Sequence, residues 1–207
     1  MPKTAGIYVE TYLQDILKKN GYKHHSLTIT NSPRFEDKHK GFDWTEEELL
    51  EIAKCPKRHQ FVSNHSPNWS LKAFREFKKR GWFTFAFVRH PGDQICSLYF
   101  FSRERYNLYT NISLDNYVRS LLKGKDTCWL LPTFWEEIDF IREYTEENFA
   151  YFLNHYFQHK YLPGPKLNSS ANKGYKYYCE TKEISAKTKD LLENSEQYGL
   201  YIKIKSL

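Results

Sequence analysis

At 207 residues, 40% of them apolar, the chain is long enough to bury one α/β-sized core, and this composition excludes an intrinsically disordered polymer. The formal net charge of +6 calls for an anionic partner: a nucleotide, a nucleic acid, an acidic polysaccharide or a membrane surface. Aromatic residues reach 17%, more than a core of this size needs, so some are available to stack on a flat ligand.

In chain order, Val9, Tyr12, Leu13, Ile16 and Leu17 keep helical spacing, and Gly21 is a suitable stop. Ser26–Thr30 reads as a short strand, and residues 37–43 are polar and looped. Thr45 with Glu48 forms a capping box ahead of a helix that reaches about Lys54. Gln60–Asn64 reads as a strand, and Ser70–Lys79 as a helix closed by Gly81. Trp82–Arg89, nearly all apolar, is the strongest strand and is expected to be covered on both faces. Helices follow over Asp93–Ser102, Ser113–Leu122, Thr145–Gln158 and Glu183–Glu193, with a short strand at Ile138–Ile141 and a loop at Leu162–Lys176. This alternation predicts an α/β fold, three-layered, with a central parallel sheet flanked by helices, in a single domain over residues 1–207.

Cys55, Cys96, Cys128 and Cys179 are widely spaced with no CxxC pair, so no zinc site is suggested; an even count permits two disulfides, and the simpler reading is free buried thiols. His24-His25 and His155/His159 are the closest histidine pairs, and there is no HExxH, so no metal is expected. No apolar run approaches the roughly 20 residues that span a bilayer. With no integral membrane segment and no signal peptide in Met1–Gly6, the sequence as it stands predicts a cytoplasmic protein.

Three segments carry chemistry. Pro2-Lys3-Thr4-Ala5-Gly6 precedes an amphipathic helix; it is either a turn into a surface helix or an anion site made of unpaired N–H groups, the helix dipole and Lys3. It is not a Walker A loop, since Lys3 precedes the Gly and no GK[ST] follows, which argues against a P-loop kinase. Phe87-Val88-Arg89-His90-Pro91-Gly92-Asp93 ends a buried strand on an arginine, with Ser97 two turns into the next helix. Arg89 there is either a surface ion-pair partner or a phosphate ligand at the carboxyl edge of a sheet. Phe61-Val62-Ser63-Asn64-His65-Ser66-Pro67 ends a strand on His65, which is either structural or a general base.

In that order the segments resemble the sulfotransferase family. Pro2–Gly6 before a helix resembles its 5′-phosphosulfate loop. VRHPGDQICSLY (Val88–Tyr99) resembles its 3′-phosphate motif, with Arg89 and Ser97 at the family's eight-residue spacing. The segment NHSP, containing His65, is similar to the strand end that supplies a base in many members. EIDFI, LNSSANKGY and LYIKI resemble later segments of the carbohydrate-type branch. The resemblance covers nearly the whole chain, with a loose match between Gly21 and Arg58.

The resemblance implies transfer of a sulfuryl group from 3′-phosphoadenosine 5′-phosphosulfate to a hydroxyl acceptor such as a saccharide. It implies adenosine 3′,5′-bisphosphate as product and no metal or nucleic acid as partner. Lys3 and His65 would be catalytic. Lys3, Thr4, Ala5, Gly6, Ile7 and Tyr8 would surround the 5′-phosphosulfate, and Arg89, Ser97 and Lys173 the 3′-phosphate. The family's phosphosulfate loop follows a buried central strand, whereas here Met1 stands directly before Pro2, so the resemblance implies an N-terminally shortened chain. Ile7 and Tyr8 stand where the family carries hydroxyl side chains, and His90 stands in place of its usual aspartate. These departures keep a catalytically degenerate nucleotide- or glycan-binding relative as the alternative. A nucleic-acid-binding module is a third reading, which lacks a recognition motif.

Overall fold

A computed structural model describes residues 6–19, 45–54, 71–124, 134–162 and 173–207. The predicted strands at Ser26–Thr30 and Gln60–Asn64 lie outside these residues, as do the loop at 37–43, the stop at Gly21 and most of the loop at Leu162–Lys176. The chain divides into two compact units, and the boundary falls within both strands: β1 (Phe85–Val88) after Ala86 and β2 (Phe140–Glu143) after Ile141.

The strands pair with each other. The Phe140 N–H donates to the Thr84 carbonyl and the Tyr144 N–H to the Val88 carbonyl. The offset between partners is the same at both ends, which only parallel strands allow. A mixed α/β architecture with a small parallel sheet flanked by helices is therefore present, with two strands in the sheet among the described residues. The apolar run at Trp82–Arg89 narrows to four strand residues. The strand expected at Ile138–Ile141 lies two residues later, because a 3-10 turn at Trp135–Glu137 precedes it.

The first unit holds α1 (Gly6–Lys19), α2 (Glu46–Ala53) and α3 (Leu71–Lys79). Along α1, Val9, Leu13 and Ile16 are buried, at the i, i+4, i+7 spacing of one helix face. The capping box of α2 forms: Thr45 Oγ1 accepts from the Glu48 N–H at 3.2 Å, and the Glu48 carboxylate accepts from the Thr45 N–H at 2.7 Å. Two donors that the helix start leaves unpaired are thereby satisfied. Thr45→Ala is expected to cost about 1 kcal/mol, read as a lower urea midpoint; an unchanged midpoint would show that the box adds nothing net.

Leu49, Ile52 and Ala53 of α2 bury against Ala73 and Phe77 of α3, with Trp82 packed beside them and its indole N–H on the Ala53 carbonyl. The α3 helix closes as a Schellman turn. The Trp82 N–H reaches the Phe77 carbonyl and the Gly81 N–H the Lys78 carbonyl, with Gly81 at φ 77°. That left-handed conformation favours glycine. The Asp139 carboxylate then fixes the start of β1, accepting from the Thr84 N–H at 2.8 Å, the Thr84 hydroxyl at 2.7 Å and the Lys78 ammonium. Burial pushes the Asp139 carboxyl up, but these donors outweigh it and hold the group below the usual carboxylate range.

The second unit holds α4 (Pro91–Tyr106), α5 (Leu114–Lys123), α6 (Glu146–Phe157), α7 (Tyr175–Glu180), α8 (Ala186–Glu193) and α9 (Glu196–Lys205). Its main core joins Ile95, Cys96 and Tyr99 of α4, Tyr117 and Val118 of α5, Tyr175 and Tyr178 of α7 and Leu192 of α8. A polar clamp ties α5 to α8. Arg119 donates to Thr188 Oγ1 at 2.6 Å and Ser185 Oγ at 3.0 Å, while Asp115 accepts from the Ser185 N–H at 2.8 Å.

Three corrections concern this unit. Tyr175 and Lys176, expected in a loop, begin α7, and the helix expected from Glu183 begins at Ala186 with Ser185 as its N-cap. The α4 helix starts at Pro91 and runs to Tyr106, beyond the expected end at Ser102, closing on Asn107 in the left-handed conformation. Among the described residues no helix is long and apolar enough to cross a membrane.

Candidate functional site

The carboxyl ends of β1 and β2 lie side by side, and chemistry-bearing residues of the second unit gather there. β1 ends at Val88, two residues carry the chain to α4, and Pro91 occupies the first helical position, where its fixed φ suits the helix and its missing N–H costs nothing. His90 is the N-cap: its Nδ1 accepts from the Gly92 N–H at 3.1 Å. Arg89 thus sits in the turn between the strand end and the helix start, half-buried. Ser97 is in α4, 7% exposed, one turn beyond Asp93 on the same helix face.

The start of α7 is fastened to this turn. The Asp93 carboxylate accepts from the Tyr175 N–H at 2.6 Å, satisfying a backbone donor at the N-terminus of α7. The Tyr175 ring lies against Gly92, where a side chain would collide with it, and packs on the His90 imidazole at 5.1 Å. Gly174 makes the approach at φ 92°. Lys173, just before it, is exposed; its ammonium donates to the Tyr177 hydroxyl at 3.1 Å and lies over the Tyr177 ring at 4.5 Å. The hydrogen bond to Tyr177 raises the Lys173 pKa, so this residue is a cation at any physiological pH.

His90 is enclosed by aromatic rings. Tyr198 and Tyr201 of α9 present edges to it at 5.5 and 5.3 Å, completing a three-sided cage with Tyr175. The Tyr201 hydroxyl donates to Glu143, the last residue of β2, at 2.5 Å. Burial, with Glu143 as acceptor, raises the Tyr201 pKa, so it remains a donor. Burial also lowers the His90 pKa despite the nearby carboxylates. The Tyr175 hydroxyl is buried without a hydrogen-bond partner among the described residues, and its pKa is raised by burial and by the neighbouring Cys179. Burial raises the pKa of the Cys96 and Cys179 thiols as well, so neither supplies a thiolate nucleophile at neutral pH.

Of the residues singled out in the sequence, Arg89 and Ser97 stand on this turn and the next two turns of α4, and the segment bearing Lys173 is tied to the same helix start. Gly6, Ile7 and Tyr8 form the first turn of α1, a helix of the first unit. Lys3, Thr4, Ala5 and His65 lie outside the described residues. The sequence reading missed the cage of His90, Tyr175, Tyr198 and Tyr201 and its link to Glu143. Only His90-Pro91 carried a local signal, a polar residue before proline at a helix start. Among the described residues no cluster of three or more His, Cys, Asp or Glu side chains is arranged to hold a metal ion. No protein-family model, curated protein or solved structure matches the chain.

Proposed function

We propose that the chain is a sulfotransferase-like protein. In this reading it holds the 3′-phosphate of an adenosine nucleotide at the β1–α4 turn and moves a sulfuryl group to a hydroxyl acceptor, a saccharide by preference. The observation that carries the reading is the Asp93–Tyr175 hydrogen bond. It fastens the segment bearing Lys173 to the helix start that follows Arg89, so two cations distant in sequence belong to one local structure. A doubly charged phosphate is favoured where cations gather at a helix start.

Arg89 would supply a forked donor and Ser97 a hydroxyl. The donor substrate, 3′-phosphoadenosine 5′-phosphosulfate, would bring the transferable sulfuryl group. Lys3 would stabilise charge at its 5′ end and His65 would accept the proton of the acceptor hydroxyl, roles that rest on the sequence resemblance. A three-layer, P-loop-like sheet belongs to the same proposal, with the two parallel strands as its support.

Adenosine 3′,5′-bisphosphate tests the reading. At 100 times its dissociation constant it is expected to add about 2.7 kcal/mol of stability, seen as a raised Tm. Arg89→Ala is expected to weaken binding about 10- to 100-fold, the loss typical of hydrogen bonds to a charged group. A well-folded sample that shows no thermal shift at millimolar nucleotide would refute the proposal. One observation favours a binding protein without turnover: the first turn of α1 carries Ile7 and Tyr8 rather than small hydroxyl residues. A thermal shift without sulfuryl transfer across a saccharide panel, donor supplied, would select that second reading.

A further inference from the structure

His90 is a half-buried titratable group for which the proposed function has no use, yet it closes the turn on which Arg89 stands. Its Nδ1 accepts from the Gly92 N–H, so the ring is neutral in this geometry and carries its proton on Nε2. We propose that His90 is a proton-sensitive cap: the neutral imidazole closes the β1–α4 turn, and the protonated one releases it. Protonation converts Nδ1 from acceptor to donor, so the Gly92 N–H loses its partner while a second N–H faces it. The new cation also stands at the positive end of the α4 dipole.

Every element around the ring has a charged or titratable group to weigh. Asp93 on α4, Glu143 at the end of β2 and Glu193 on α8 favour the imidazolium; Lys205 on α9 opposes it. Tyr175 of α7 and Tyr198 and Tyr201 of α9 supply ring surface, and burial raises the pKa of Tyr175 and Tyr201, so both keep their hydroxyl protons near neutrality. Arg89 is the adjacent residue in sequence. Burial outweighs the three carboxylates and lowers the pKa from its ordinary 6.5. As pH falls below about 7, the unfolded chain takes up this proton before the folded one does. The folded state therefore loses stability through that window and levels off once the folded imidazole is charged.

The experiment is an NMR titration of the full chain without ligand, following the Gly92 amide and the His90 ring from pH 7.5 to 5. The expected result is one shared midpoint below 6.5, with the Gly92 amide shifting as its hydrogen bond opens. His90→Asn is the informative variant, since Asn Oδ1 stands where His Nδ1 stands and accepts without titrating. In that variant the Gly92 amide should remain still over the same range. A wild-type Gly92 amide indifferent to the His90 titration, or a His90 midpoint at or above 6.5, overturns the proposal without reference to any variant. Because no nucleotide is present, failure here is separate from failure of the proposed function. Under that function, nucleotide affinity would fall across the same window in the wild type and stay level in His90→Asn.

Discussion

Phe87→Ala is expected to destabilise the second unit by about 3–5 kcal/mol, the range for deleting a buried aromatic ring. Phe87 is the inward side chain where β1 enters this unit. Its ring meets three others nearly edge-on: Tyr144 at 5.8 Å, Phe149 at 5.6 Å and Phe152 at 5.5 Å. Phe149 and Phe152, both on α6, are fully buried, so this ring joins the strand to the buried face of α6. Neither neighbour can swing into the vacated space without leaving its own contacts, which is the condition under which a cavity persists and its cost is high. Phe83, 45% exposed, is the control: Phe83→Ala should change stability by no more than about 0.5 kcal/mol. Urea unfolding followed by far-UV circular dichroism would measure both. A Phe87→Ala cost below about 1 kcal/mol would mean that α6 repacks freely and that the aromatic cluster does not hold the strand.

What could be read from the sequence was what is local. The capping box at Thr45 and Glu48 needs only residues three apart, and it forms where expected. The run of apolar residues before Arg89 and the proline after His90 specify a strand, a turn and a helix within a dozen residues, and all three are present. Strand limits were harder, since hydrophobicity continues through Trp82 and Phe83, which the Gly81 turn keeps out of the sheet.

The α9 helix shows the opposite case. Its stretch Ile202-Lys203-Ile204-Lys205 alternates apolar and charged residues, the period of a strand. Burial of Gln197, Tyr201 and Ile204, at helical spacing, and the Ser195 cap decide for a helix. Similarly, α7 is short and aromatic and follows two glycines and two prolines. Its first residue is held by Asp93, a partner 82 positions away. The cage around His90 is assembled from the start of α4, α7 and α9, so no window of sequence contains it. The spacing of Arg89 and Ser97 was legible; what surrounds them depends on tertiary packing.

Gly92→Ala separates local propensity from packing, because the two predict opposite signs. In a helix, alanine is favoured over glycine by up to about 1 kcal/mol, less in the first turn. Judged locally, the substitution should be neutral or stabilising. The new Cβ, however, would lie 2.4 Å from Tyr175 Cγ, 2.5 Å from Cδ2 and 2.8 Å from Cδ1. These are ring atoms at the stem of the side chain, and only a rotation about Cα–Cβ that takes the ring out of its buried position, or a shift of the backbone, can move them. That backbone is pinned by the Tyr175 N–H on Asp93, and the ring is flanked by His90. Relief therefore requires α7 to part from α4, and the expected net cost is about 3 kcal/mol, the upper end for overpacking. The Lys173 segment would shift with it, so amide exchange at Tyr175 should accelerate. The decisive comparison is a double-mutant cycle with Tyr175→Ala. Once the ring is gone, Gly92→Ala should cost nothing or add slightly to stability, giving a coupling of about 3 kcal/mol, at the top of the range for residues in direct contact. An equal cost in both backgrounds would show that the Tyr175 ring is not what requires glycine at this position, and that the fastening of α7 to α4 does not depend on that contact.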